Sequence, residues 1–93
     1  MANNLFISYD LYSPGQKYDA VIETIKSLGA WAHVHKSLWY VNSALGHEAV
    51  ANMIWGKMDS NDSLLVVNAT TNGFYCFNVH DEVLKQMQKQ WNI

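Results

Sequence analysis

Asp10 is the residue of this 93-residue chain best suited to chemistry. It ends an alternating stretch, Leu5 to Leu11, just before the loop Ser13-Pro14-Gly15-Gln16-Lys17. A carboxylate suits a hard cation such as Mg²⁺, which takes one or two carboxylates plus waters and phosphate oxygens. A cation there would lower the pKa of a bound water and neutralise phosphate charge. The plainer reading is an aspartate that caps the loop through backbone hydrogen bonds. The loop precedes a predicted helix, so its N–H groups could hold a phosphate with Lys17 nearby. It lacks the second glycine and the Gly-Lys-Ser/Thr ending of a Walker loop, and a simple turn explains it.

Other residues offer weaker chemistry. His33 and His35 are two apart on a predicted strand and so point the same way, a spacing compatible with zinc. No cysteine or second ligand pair is spaced to complete that site, and a surface or interface pair is the plainer reading. Asp59 and Asp62 flank a Ser-Asn turn too short for a calcium loop, and Asx-turn chemistry explains them. Trp31, Trp39, Tyr40, Phe74 and Tyr75 could stack bases, but the chain lacks the basic groove that single-strand binders need, and core or dimer packing is the plainer reading. Cys76 reads as a buried strand residue, with nothing near it in sequence to activate a thiolate.

Composition narrows the classes. Only 15% of residues are charged, the net charge is −2 with histidine neutral, and all six basic residues are lysines. The missing arginine weighs against tight duplex binding, because arginine is the usual bidentate partner of phosphate and guanine. A single cysteine permits no intrachain disulfide and suits a reducing compartment. There is no basic segment followed by an apolar run at the start, and no stretch approaches the roughly 20 apolar residues of a membrane span. A cytoplasmic protein with no membrane association is expected.

The elements that must position these residues follow from periodicity. Leu5 to Leu11 is a predicted strand, with Leu5, Ile7, Tyr9 and Leu11 on one side and Phe6, Ser8 and Asp10 on the other. Tyr18, Val21, Ile22, Ile25 and Leu28 give a helix over 18–28, with Gly29 as its C-terminal cap. Trp31 to His35 and Leu38 to Asn42 are two strands joined at Lys36. A helix over 47–58 follows, with Gly46 as a weak N-cap. Ser63 to Asn68 holds a continuous apolar run, which suits a central strand covered on both faces. Phe74 to Phe77 is a fifth strand, and 80–91 a last helix. The expected fold is a single α/β (α+β) domain over 1–93: a ferredoxin-like βαββαβ sandwich with an extra C-terminal strand and helix. Two helices would cover one face of the sheet. The other, carrying Phe6, Ser8 and Asp10, would stay open, which predicts a homodimer.

Ser8-Tyr9-Asp10-Leu11, Lys26-Ser27-Leu28-Gly29, Ser37-Leu38-Trp39 and Asp59-Ser60-Asn61-Asp62-Ser63-Leu64-Leu65-Val66 together resemble the small SinR-like proteins of bacteria and phages. Those are similar in turn to the CRISPR-associated Cas-two family. The resemblance spans roughly residues 4–77. It implies a ferredoxin-like fold and a symmetric homodimer. It also implies that Asp10, near the two-fold axis, pairs with its copy to bind a divalent metal for phosphodiester hydrolysis. Ser8 and Tyr9 would support that site, and Lys17, Lys36 and Trp39 would contact the ligand or its phosphates. The rival reading is a non-catalytic dimer that holds a small nucleotide or a partner protein, as a phage counter-defence factor would. Low charge favours the rival, and the position of Asp10 favours the nuclease.

Overall fold

In a computed structural model, residues 2–12 and 18–91 are described. The elements are β1 (Asn3–Asp10), α1 (Tyr18–Lys26), β2 (Gly29–His35), β3 (Leu38–Ser43), α2 (His47–Trp55), β4 (Ser63–Asn68), β5 (Gly73–Phe77) and α3 (Asp81–Gln90). The five strands form one mixed-order sheet, β2-β3-β1-β4-β5, in which each neighbouring pair is antiparallel. The fold is therefore mixed α/β, with every strand in one antiparallel sheet. Among the described residues no helix is long and apolar enough to cross a membrane.

Period-two alternation in β1 decides which side of the sheet is the core. Leu5, Ile7 and Tyr9 are buried, whereas Phe6, Ser8 and Asp10 are exposed. β1 lies between β3 and β4, and its register carries that choice outward: Ile7 lies opposite Trp39 and Val66, and Tyr9 opposite Leu64. Val21 and Ile25 of α1, and Val50, Ala51 and Ile54 of α2, close over this face. Each such valine or isoleucine contributes about 1.5–3 kcal/mol when fully buried. The apolar run of β4 follows the same alternation. Leu64 and Val66 are buried, while Leu65 and Val67 are only half-buried, so the strand is interior but not sealed on both faces as expected.

Both early helices stop short of their predicted ends because their last turns tighten. Leu28 N donates to Ile25 O, and Met58 N to Trp55 O, which are three-residue steps. Leu28 and Met58 nonetheless reach the core from those turns. The helix α3 starts with His80 as its cap, whose Nδ1 accepts from Glu82 N at 3.2 Å. Asp62 is a buried carboxylate that ties two loops together. Its Oδ1 accepts from Tyr12 N at 2.7 Å, after β1, and its Oδ2 from Asp59 N at 2.8 Å, before β4.

Gly29 does not cap α1 as predicted; it opens β2, opposite Ser43 at the end of β3. Its φ is +157°, and a Cβ placed there would lie 2.0 Å from the backbone oxygen of Asn42. The clash is with a strand carbonyl held in the sheet, which no side-chain rotation relieves. Gly29→Ala is expected to lower unfolding free energy by about 3 kcal/mol, through overpacking and backbone strain. A urea titration followed by far-UV circular dichroism measures it, and a loss below about 1 kcal/mol would contradict this account of the β2–β3 edge.

Candidate functional site

Adjacent residues of one strand face opposite ways, and this splits the candidate site in two. Ser8 and Asp10 point out of the uncovered face of the sheet. Asp10 lies opposite Ser63, and Ser8 opposite Leu38 and Leu65. A shallow hollow of about 200 Å³ borders them, lined also by Ser63, Leu65 and Val79. Among the described residues no hydrogen bond engages the Asp10 carboxylate, and it is Asp62 that clamps the backbone where the chain leaves β1. Among the same residues no group of three or more His, Cys, Asp or Glu side chains could hold a metal ion. One chain thus brings a single carboxylate and nearby hydroxyls to this point. That donor set fits Mg²⁺ only as half of a shared site or with phosphate oxygens completing the shell.

Tyr9 and Trp39 lie on the other side of the sheet, in the core, at 4% and 2% exposure. Trp39 Nε1 donates to Tyr9 Oη at 3.0 Å, which satisfies a buried indole N–H. Burial above all, and then the neighbouring Tyr18 phenol, push the Tyr9 pKa up to about 12, against the opposing effect of the Trp39 N–H. Tyr9 therefore stays a neutral core phenol, and neither residue presents a polar group to a ligand on the Asp10 side. Lys36 is exposed in the turn between β2 and β3. Its carbonyl accepts from Tyr18 Oη at 3.4 Å and lies 3.3 Å from His33 Nε2. Lys17 and the rest of the loop 13–17 lie outside the described residues.

The His33/His35 pair does not survive folding. A β-bulge separates them, so that His33 lies opposite Trp39 and His35 opposite Leu38. Trp39 and Leu38 belong to opposite faces, so the two imidazoles do as well. His33 stacks on Trp39 with ring centres 3.9 Å apart and planes within 8°. Cys76 is half-buried on β5, and burial pushes its thiol pKa up, which leaves it a poor nucleophile.

Sequence reasoning missed a cleft beside β5. It has a volume of about 550 Å³ and is lined by His47, Asn72, Tyr75, Gln88 and Trp91 among others. Trp91 packs on Phe74 with centroids 4.4 Å apart, and its Nε1 donates to Asn72 O at 2.7 Å. His47 sits against Gly73, and its buried Nδ1 has no hydrogen-bond partner among the described residues. The one signal in the sequence was Asn72-Gly73: Asn72 has φ +61°, and a Cβ on Gly73 would meet the His47 ring at 2.6 Å. No family model, no curated protein and no solved structure matches this chain.

The raised pKa of Tyr9 has a measurable consequence. The folded state holds this proton more tightly than the unfolded chain, whose tyrosine titrates near 10. The stabilisation is complete below pH about 10 and is lost as pH rises through about 12. Tyr9→Phe is expected to unfold less steeply with pH across that window, the difference approaching about 2 kcal/mol. Urea unfolding of both proteins at pH 9 to 12 tests this. Parallel curves would mean that Tyr9 is not the buried phenol described.

Proposed function

We propose that this chain is a ferredoxin-like, Cas-two-like homodimer that acts on nucleic-acid phosphodiesters, with a divalent metal held between the two copies of Asp10. The first six elements run β-α-β-β-α-β, and their strands lie in the order β2-β3-β1-β4, which supports the ferredoxin-like assignment. The observation that carries the functional reading is the placement of Asp10. It is exposed at the end of the central strand, on the face of the sheet that α1 and α2 leave uncovered. A second copy laid on that face would bring two carboxylates together, which one chain alone does not provide.

In that arrangement Asp10 and its copy hold the ion, and the Ser8 and Ser63 hydroxyls border it. A bound Mg²⁺ would supply charge neutralisation at the scissile phosphate and a water activated for attack. The half-buried Leu65, opposite Ser8, lines one side of the hollow. The rival is a non-catalytic dimer that holds a small nucleotide or a partner protein. Two observations favour it: the net charge of −2 without arginine, and the separate cleft beside β5.

The test is incubation with single- and double-stranded RNA and DNA, with Mg²⁺ or Mn²⁺, beside EDTA and Asp10→Asn controls. Metal charge stabilisation is worth several kcal/mol, so both controls are expected to reduce cleavage by about 100-fold or more. Absence of cleavage, or cleavage that survives Asp10→Asn, would remove Asp10 from catalysis and leave the binding protein.

A further inference from the structure

β2 is exposed along its whole length, in contrast to the half-buried or buried residues of β3 and β4. Edge strands that meet water are usually blunted by lysines and bulges. The bulge at His33/His35 and the flanking lysines fit that role. Trp31 does not. A tryptophan left 45% exposed on an edge strand is a liability for aggregation, and edge protection gives it no role.

The surroundings of Trp31 give it a different one. Its ring lies 5.5 Å from Trp39, which is fixed by its hydrogen bond to Tyr9 and covered on one face by His33. The result is a row of three rings with a rigid base. Lys26 Nζ sits 4.7 Å from the centre of the Trp31 ring. Lys36 follows at the far end of β2, roughly 16 Å along the strand by the rise of about 3.3 Å per residue. The charge is lopsided as well. No Asp or Glu occurs between Glu23 and Glu48, and that segment holds Lys26, Lys36, His33 and His35. On α1, Glu23 and Asp19 lie one and two turns before Lys26, on its exposed side. Two of the six lysines of the chain and its exposed indole thus lie on one edge.

From this we infer that the β2 edge binds single-stranded nucleic acid. A base stacks on Trp31, Lys26 meets a phosphate flanking it, and Lys36 meets a phosphate further along the strand. Unpaired bases offer π-faces to an exposed indole, which the stacked bases of a duplex do not. Lysines suit this task as point charges on phosphate, where arginine's bidentate fit to guanine in a duplex groove is not required. In the free protein the Lys26 ammonium occupies the ring face by a cation–π contact, and it moves onto phosphate as the base arrives. The inference rests on the nucleic-acid reading above, but it needs neither Asp10 nor a metal.

The experiment is fluorescence anisotropy with fluorescein-labelled oligo(dT) in EDTA, beside a duplex of the same length, dTMP and polyglutamate as competitors. Trp31 is exposed, so Trp31→Ala is expected to fold, and unchanged circular dichroism checks this. Trp31→Ala should weaken oligo(dT) binding about tenfold, with Trp31→Phe restoring most of it. Lys26→Gln/Lys36→Gln should flatten the logarithmic salt dependence by about 1.4, at about 0.7 per phosphate on a single strand. Lys85→Gln, at an exposed lysine of α3 outside this edge, should leave binding unchanged. Binding that survives the Trp31 and lysine variants would overturn the β2 site while leaving the nucleic-acid reading intact. Equal competition by dTMP, the duplex or polyglutamate would also overturn it. No binding by the unaltered chain would overturn the β2 site alone, because the metal-dependent reading is decided by the cleavage assay with Mg²⁺ or Mn²⁺.

Discussion

Leu5, Ile7 and Tyr9 must be covered, and the way they are covered organises the rest of the chain. They sit on the middle strand of five, with β3 and β4 hydrogen-bonded on either side, so the register of the whole sheet is referred to them. A shift of one residue in β1 would send all three into water and bring Phe6, Ser8 and Asp10 into the core. Burying a carboxylate without a partner is far too costly for that alternative to compete. The alternation of β1 therefore fixes the core and the orientation of Asp10 in a single choice.

From that strand the constraint passes outward through Tyr9. Its phenol receives the indole proton of Trp39, and Trp39 is the platform on which His33 and Trp31 rest. The same phenol lies edge-on to Tyr18, whose hydroxyl reaches the carbonyl of Lys36. The turn between β2 and β3 is thereby tied to the start of α1. Core polarity of this kind is well satisfied, and it gives the exposed rings of β2 a fixed base. Asp62 does similar work just beyond the same end of β1, where two backbone N–H groups share its carboxylate.

Strong local periodicity made the elements legible in the sequence. The two faces of β1, the helical stripe of α1 and the span Ser63–Asn68 are as the residue pattern indicates. Features set by contacts between distant segments were not legible. Gly29 reads as a helix cap because it follows a helical stripe, yet its conformation is decided by Asn42 across the β2–β3 edge. His33 and His35 read as a pair because spacing assumes a regular strand, and the bulge breaks that assumption. Ser8 with Asp10, and Tyr9 with Trp39, belonged to one candidate site in the sequence. Strand parity puts Ser8 and Asp10 on one face and Tyr9 on the other, and only the β1–β3 register assigns Trp39 to the side of Tyr9. The grouping of Lys26 with Trp31 required knowing where α1 ends relative to β2.

The sheet has one covered face and one that this chain leaves open. Phe6 is 38% exposed there, with Tyr40, Leu65, Val67 and Phe74 only half-buried around it, and α3 buries none of its own residues. An apolar face of this kind suits an interaction surface, and the shared Asp10 site proposed above requires a second copy to cover it. Light scattering at micromolar concentration tests that dependence directly. A mass of two chains, falling to one chain in a folded Phe6→Glu variant, is the result expected. A single-chain mass for the unaltered protein across the concentration range, or a dimer indifferent to Phe6→Glu, would contradict it.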